Sequence, residues 1–425
     1  MKLRKRWAFI TLTLMTSIVT SCNLNSNEDD VMTVCPGPLE LTSEQMQLVN
    51  HSNDFSFNLF RQIIDSKSND DKNQSIIVSP ISITYALGML NNGAAGNTQD
   101  QINKVLGFED TGTEGINNFC SKMLYRAPQL DSLTKVMIAN NIYLNKNYQL
   151  KPEFTKIANT YYNAYPETRD FNDGKTMDVI NKWASDHTEQ MIKKILNEGS
   201  FNPDAVSYLL NAIYFKGEWT TKFDKDRTQV EEFIPAGDTQ EHIECQMMHL
   251  EETMEYAEID GYQVLRLPYG NKSFQMTILL PIVEVDKAIA LPAAPSAKTW
   301  NNICKNKWQS LVVHLALPRI ETTTDIDLSE IMSALGMSDA FNPDKADFSK
   351  FCNSATYIGM MKQVAGIKLD EEGTEASAVT AIGMINTVFS PEQNMMYFYA
   401  NHPFFYIISE TNSNAIFFIG QYTGY

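Results

Sequence analysis

The sequence predicts an α+β protein whose chain of 425 residues folds as one large domain over roughly residues 49–425. Two patterns point to this class. Apolar residues recur at helical spacing through the first half, whereas short apolar runs bounded by turns or prolines dominate the middle and the end. A third observation concerns order: helices and strands segregate instead of repeating as βαβ units. Length alone suggests two or three domains. From His51 onward, however, no low-complexity stretch or internal repeat marks a boundary. A hydrophobic share of 43% and a charged share of 20% suit a soluble globular protein with one sizeable core.

Residues 1–21 read as a targeting signal. Lys2, Arg4, Lys5 and Arg6 form a basic start, and the apolar stretch from Trp7 to Thr20 is short for a bilayer span. Val19-Thr20-Ser21-Cys22 follows and resembles a bacterial lipobox. That resemblance implies an acylated Cys22 as the first mature residue and a membrane anchor without a transmembrane helix. An ordinary cleaved signal with a chance cysteine is the plainer alternative. Residues 22–48 read as a polar tether containing Pro36-Gly37-Pro38. Within it, Asn23 to Asp30, with Glu28-Asp29-Asp30, resembles the acidic tag of surface-displayed Bacteroidetes lipoproteins, and reads equally as a solvated linker.

The folded part opens with a helix on which Phe55, Leu59, Phe60, Ile63 and Ile64 share one face. Ser79-Pro80 starts a second helical run from Ile81 through Leu90. A third helix is expected near Thr176 to Leu196, with Ile180, Trp183, Ala184, His187 and Met191 on one stripe and His187 as a satisfied core histidine. Strands are expected at Ser207 to Phe215, Gln275 to Leu280 and Leu311 to Leu317. Phe404 to Ile408 and Ala415 to Ile419 flank Thr411-Asn412-Ser413-Asn414 and read as a buried hairpin.

Charge and motifs exclude several function classes. The formal net charge is −17, and setting aside the four basic residues near the start leaves 30 basic against 51 acidic residues, or −21. Such a surface argues against nucleic acid or anionic lipid as the main partner. Besides Cys22, the cysteines Cys35, Cys120, Cys245, Cys304 and Cys352 are odd in number and widely spaced. They form no zinc or thioredoxin pattern and no disulfide framework, and read as small apolar residues. The six histidines show no H-E-x-x-H spacing, and G-x-S-x-G, P-loop and G-x-G-x-x-G patterns are missing. Neither an enzyme nor a metal or cofactor is expected.

One segment near the C-terminus stands out: Glu371, Glu372, Gly373, Thr374, Glu375, Ala376, Ser377, Ala378, Val379 and Thr380. In an extended chain Thr374, Ala376, Ala378 and Thr380 fall on one side, and Glu375, Ser377, Val379 and Ala381 on the other. The first set is small enough to be buried in a crowded sheet, and the second is able to face solvent. Such a segment can live as an exposed loop or as a central strand.

This dual capacity resembles the loop hinge of the serpin family, and collinear motifs extend the resemblance over nearly all of residues 50–425. They run from Asn73-Gln74-Ser75-Ile76-Ile77-Val78-Ser79-Pro80-Ile81-Ser82-Ile83 through Gly93-Ala94-Ala95-Gly96-Asn97-Thr98 and Ile138-Ala139-Asn140-Asn141-Ile142-Tyr143-Leu144. Ile180-Asn181-Lys182-Trp183 with Thr188-Glu189 and Asn211-Ala212-Ile213-Tyr214-Phe215-Lys216-Gly217-Glu218-Trp219 come next. Leu317-Pro318-Arg319, Leu335-Gly336-Met337, Ala346-Asp347-Phe348-Ser349 and His402-Pro403-Phe404 complete the set.

The resemblance implies a three-sheet fold with about nine helices and an exposed reactive loop between Gly373 and the Phe404 strand. It implies a suicide-substrate inhibitor whose loop is cleaved by a serine protease, then enters the main sheet while the protease is held as an acyl-enzyme. Sixteen residues on from Glu371, the family's register gives Thr387–Val388 as the scissile bond, which suits an elastase-like pocket; Asn386, Phe389 and Met384 are the alternatives. The sheet-opening region falls on Ser79, Ser82, Asn211, Tyr214, Trp219 and Gln363. Gln363 stands where the family often has a histidine, so it is able to bond Asn211 without a titratable ring. The expected partner is a target serine protease in covalent complex, with the protein a monomer anchored by lipid at the bacterial outer membrane and displayed on the cell surface. A noninhibitory serpin acting as a binding or chaperone-like surface lipoprotein is the alternative.

Overall fold

A computed structural model describes residues 39–67, 73–236, 242–282, 293–374 and 395–425. Cys22, Cys35, the hinge residues from Glu375 to Thr380, and Met384, Asn386, Thr387, Val388 and Phe389 lie outside the described residues. The first half runs α1 (Ser43–Ser66), β1 (Ile76–Val78), α2 (Pro80–Asn91), α3 (Gly96–Leu106) and α4 (Thr113–Arg126), then β2 (Thr134–Asn145), α5 (Pro152–Tyr162), β3 (Glu167–Arg169) and α6 (Thr176–His187). Next come β4 (Ser207–Glu218), β5 (Gln229–Phe233), β6 (Ile243–Ile259), β7 (Tyr262–Tyr269), β8 (Phe274–Pro281), α7 (Ala297–Lys305) and β9 (Gln309–Pro318). The chain closes with β10 (Ile320–Asp327), α8 (Ser329–Met332), β11 (Met360–Asp370), β12 (Gly373–Thr374), β13 (Met396–Tyr399), β14 (Phe404–Glu410) and β15 (Ile416–Tyr422). Eight α-helices are thus present among the described residues.

Local chemistry sets the helix limits. The stretch read as a tether to residue 48 gives way to α1 at Ser43, because Thr42 and Gln45 form a reciprocal capping box that satisfies both exposed N–H groups. Helix α2 starts with Pro80 at its first turn and is buried on every side, so it reads as apolar all round. Helix α6 ends at His187 instead of reaching Leu196. The Thr188 hydroxyl caps the Ala184 carbonyl and accepts from the Ile192 amide, while Glu189 and Gln190 take positive φ values of 48° and 66°. Asn181 then holds the returning chain by accepting from the Ile195 and Leu196 amides. His187 and Met191 are therefore exposed, which corrects the core role expected for His187; its ring bonds the Trp183 carbonyl.

Hydrogen bonding joins the strands into a six-stranded and a nine-stranded array, and the latter divides at β6 into two parts, giving three sheets. Strands β10, β11, β12, β4, β2 and β3 line up in one six-stranded sheet, with β11 and β4 also paired directly in parallel. The other two share the 17-residue β6, which pairs with β7 only over Glu255–Ile259 and with β9 over Met247–Tyr256. One continues through β7, β8, β14, β15 and β1; the other holds β5, β9 and the edge strand β13. Strand β4 is buried on both faces, which explains its unbroken apolar run. Leu209, Ile213 and Phe215 enter the main core over α2, and Tyr208, Leu210 and Ala212 pack with Ile180 and Ala184 of α6. The predicted C-terminal hairpin is β14–β15.

Candidate functional site

Strands β4 and β11 are joined at one end and parted at the other. Met360 to Gly366 pair in parallel with Tyr208 to Tyr214. Beyond that level the chain turns at Glu371-Glu372 and comes back between the two strands as β12. Gly373 faces Asp370 on one side and Glu218 on the other; Thr374 faces Leu369 and Gly217. The hinge residues Gly373 and Thr374, expected in an exposed loop, are thus buried strand residues. Gly373 has a φ of +146°, and a Cβ there would lie 2.1 Å from the Gly217 carbonyl oxygen, so only glycine fits.

An aromatic floor receives the Thr374 side chain. Thr374 is fully buried, and its hydroxyl lies 2.9 Å from the Tyr269 hydroxyl. Burial pushes the Tyr269 phenol well above its usual range, so it stays a neutral hydrogen-bonding partner. Tyr269 stacks on Trp219 with centroids 4.4 Å apart and rings 13° from parallel. The Trp219 indole donates to the Asp370 carbonyl at 3.0 Å, and its backbone N–H donates to the Glu372 carbonyl at 2.9 Å. Trp219 therefore supports the hinge turn directly.

Two acidic residues clamp the turn. Glu371 is 1% exposed and accepts from Arg319 Nε at 3.0 Å and Nη2 at 2.7 Å, and from the Thr228 hydroxyl at 2.5 Å. Burial raises its pKa, but the hydrogen bonds from Arg319 and Thr228 outweigh burial and hold it below the usual carboxylate value. Glu372 lies 2.8 Å from Lys222 and 2.9 Å from Lys225, whose hydrogen bonds lower its pKa as well. Sequence reading missed Arg319, Thr228, Lys222, Lys225 and Tyr269. The one available signal was a pair of adjacent acids in an acidic chain, which need cations if buried.

Further down, a buried polar ladder crosses β2, β4 and β11. Asn140, Asn211 and Gln363 are register partners on these neighbouring strands. Asn211 donates to Asn140 Oδ1 at 2.6 Å, and Gln363 Nε2 donates to Asn211 Oδ1 at 2.5 Å. Ser82 donates to Asn211 at 2.8 Å, and Ser79 donates to the Phe417 carbonyl at 2.7 Å while its amide is received by Gln363 Oε1 at 3.1 Å. The structure therefore brings Ser79, Ser82, Asn211 and Gln363 together at the start of α2. Trp219 belongs to the hinge end instead. Tyr214 is buried, and its hydroxyl has no hydrogen-bond partner among the described residues. Among the described residues no group of three or more His, Cys, Asp or Glu is suited to hold a metal ion, and no helix is long and apolar enough to cross a membrane.

The family model described as serpin (serine protease inhibitor) matches residues 50–424. Human Serpin B3 is 32% identical over 391 residues, covering 87% of this chain and 97% of its own length. Human Serpin B4 is 32% identical over 390 residues with the same coverage. Among solved structures, the thermophilic serpin tengpin in its native state superimposes with a TM-score of 0.79 at 29% identity, covering 91% of this chain and 95% of its own.

The clamp predicts a pH dependence with a definite sign. Because the Glu371 carboxyl is held below its ordinary value of 4.5, its stabilisation is complete above pH 4.5 and is lost as the pH falls through the lowered value. Glu371→Gln is expected to cost about 2 kcal/mol above pH 4.5, the worth of hydrogen bonds to a charged group beside a half-exposed arginine. On acidification the wild-type and variant stabilities, measured by urea unfolding, should converge. A gap that stays constant with pH would contradict the clamp.

Proposed function

This chain belongs to the serpin family, described as serine protease inhibitors, and we propose that it is an inhibitory member that traps a serine protease by inserting its cleaved loop between β4 and β11. One observation carries this reading: Thr374 is already seated between the two strands, in register with both. Continued residue by residue, that register brings Ala376 between Phe215 and Ile367, Ala378 between Ile213 and Ala365, and Thr380 between Asn211 and Gln363. The inward positions are thus small, while Phe215, Ile367 and Ile213 beside them are bulky. They become polar at the level where the Gln363–Asn211 hydrogen bond must open. On the outer face Glu375 comes between Lys216 and Lys368. A charge on the inner face would lose its hydration without a partner, at a cost of several kcal/mol by order of magnitude.

In this reading Glu371 to Thr380 form the hinge, Trp219 and Tyr214 belong to the region that opens first, and Ser79, Ser82, Asn211 and Gln363 hold the strands together below. Attack of the protease serine on the Thr387 carbonyl breaks the Thr387–Val388 bond, frees the Val388 amine and leaves Thr387 esterified to the enzyme; entry of the loop then competes with hydrolysis of that ester. A threonine before the cleaved bond suits an elastase-like protease. The N-terminal features fit the same role: Cys22 carries lipid, the residues before Ser43 serve as a tether, and the monomer is displayed at the bacterial outer membrane against external proteases.

Mixing the protein with an elastase-like serine protease should yield a covalent complex that survives SDS, and mass spectrometry of the released fragment should begin at Val388. Ala378→Arg, beyond the already seated Thr374, should convert the inhibitor into a substrate while the unfolding midpoint of the intact protein stays unchanged. Steady turnover of the wild-type loop by several such proteases, with no trapped complex, would favour a noninhibitory binder. The extrapolated register adds a sharper expectation. Lys216→Glu with Lys368→Glu should raise the number of inhibitor molecules cleaved per protease trapped, because Glu375 then enters beside two like charges; an unchanged ratio would reject the register.

A further inference from the structure

A second cluster of titratable side chains crosses β5, β6, β9 and β13. Register pairs share a face, and Glu251 stands opposite His314, which stands opposite Tyr397. His249, two residues before Glu251, lies on that same face, as does Glu231 opposite Cys245. His249 Nε2 lies 2.6 Å from Glu231 Oε1, and its Nδ1 lies 3.3 Å from His314 Nε2. His314 stacks parallel to Tyr399 at 5.9 Å and leans on Tyr397 at 5.8 Å, while Tyr399 also meets the edge of His249 at 6.3 Å. Arg227 approaches Glu251 at 4.0 Å. Burial and Glu231 push the Cys245 thiol up to about 11, so it stays neutral.

Proton bookkeeping across this row has a narrow solution. Glu231 accepts from His249 Nε2–H, so a neutral His249 offers Nδ1 as acceptor to His314 Nε2–H. One added proton, on either ring, leaves the row connected and balances the excess of Glu231 and Glu251 over Arg227. A second proton has no counterion and sets two N–H groups and two cations against each other across 3.3 Å. The structure opposes that state. Burial, then the neighbouring His249, lower the His314 pKa from 6.5, with Arg227 adding and Glu251 and Glu231 opposing. A base with a lowered pKa in the attached state favours attachment above 6.5 and loses that preference as the pH falls below it.

Strand β13 is short and at the sheet edge, paired through four residues with β9 alone among the described strands. Its outward side chains Tyr397 and Tyr399 are the ones that rest on His314. We propose that the His249–His314 pair is a pH-sensitive latch on β13, so that double protonation unseats His314 from Tyr397 and Tyr399 and loosens the strand. Residues 375–394 end on this strand. If the inhibitor reading holds, on which this consequence rests, the latch limits how long the uncleaved loop stays anchored in acid.

Hydrogen exchange of the β13 amides in the full chain tests the latch without any protease. After correction for intrinsic rates, protection at Met396 to Tyr399 should fall severalfold from pH 7.5 to 5.5, up to the roughly tenfold ceiling set by the one pH unit between the ordinary histidine value of 6.5 and the lower pH. His314→Gln, which keeps a donor to His249, and His314→Phe, which keeps the ring stack, should both remove that change. Equal protection of the wild type at the two pH values, or a fall that persists in both variants, would overturn the proposal. Incubation at pH 5.5 should also shorten the time over which the wild type, but not His314→Gln, traps protease when assayed at pH 7.5. Failure to trap protease at either pH would reject the inhibitor reading, while the exchange result still decides the latch.

Discussion

At any one level of the main sheet, β4 can hydrogen-bond to β11 or to a strand lying between them, but not to both. The structure shows both arrangements along one pair of strands. Met360 to Gly366 pair directly with β4, and β12 separates the strands at Leu369–Asp370 and Gly217–Glu218. A strand continued in this register would first occupy the gap beside Lys216 and Phe215, and from the level of Gly366 and Tyr214 onward it would exchange each parallel pairing for two antiparallel ones. On the proposed reading, the cut chain would gain backbone hydrogen bonds along this seam, each worth on the order of 1 kcal/mol net.

Two polar systems stand at the ends of this route. The Glu371–Arg319 and Glu372–Lys222–Lys225 contacts hold the turn from which a strand would grow, and the Tyr269 hydroxyl meets the first inward side chain. The Asn140–Asn211–Gln363 ladder holds the strands together lower down. Being buried, its amides are costly to leave unpaired, so separation there is resisted until a new partner arrives. Thr380, extrapolated to that level, would bring a hydroxyl between Asn211 and Gln363. The clamp that holds the turn and the ladder that would have to part thus lie along one seam.

Much of the fold was legible in the chain because several strands are buried on both faces and therefore read as plain apolar runs, as in β4, β8 and the β14–β15 hairpin. The hinge was legible through its alternating small residues, but a sequence able to form either loop or strand does not say that Gly373 and Thr374 are already strand. The end of α6 was lost because apolar spacing continues past Thr188 while the backbone turns. Partners of Glu371 were invisible for a different reason: Arg319 and Thr228 are 52 and 143 residues away, and only sheet register brings them together. The His249–His314 contact, across 65 residues, arises in the same way.

In the proposed mechanism, β12 is the first part of a strand that the rest of the hinge completes once the loop is cut. Calorimetry of the intact protein and of the same protein nicked once in the loop tests this directly. Completing the strand should add on the order of 10 kcal/mol, which for a domain of this size raises the unfolding midpoint by roughly 10 °C or more. A nicked protein that melts at the same temperature as the intact one, or below it, would contradict the account.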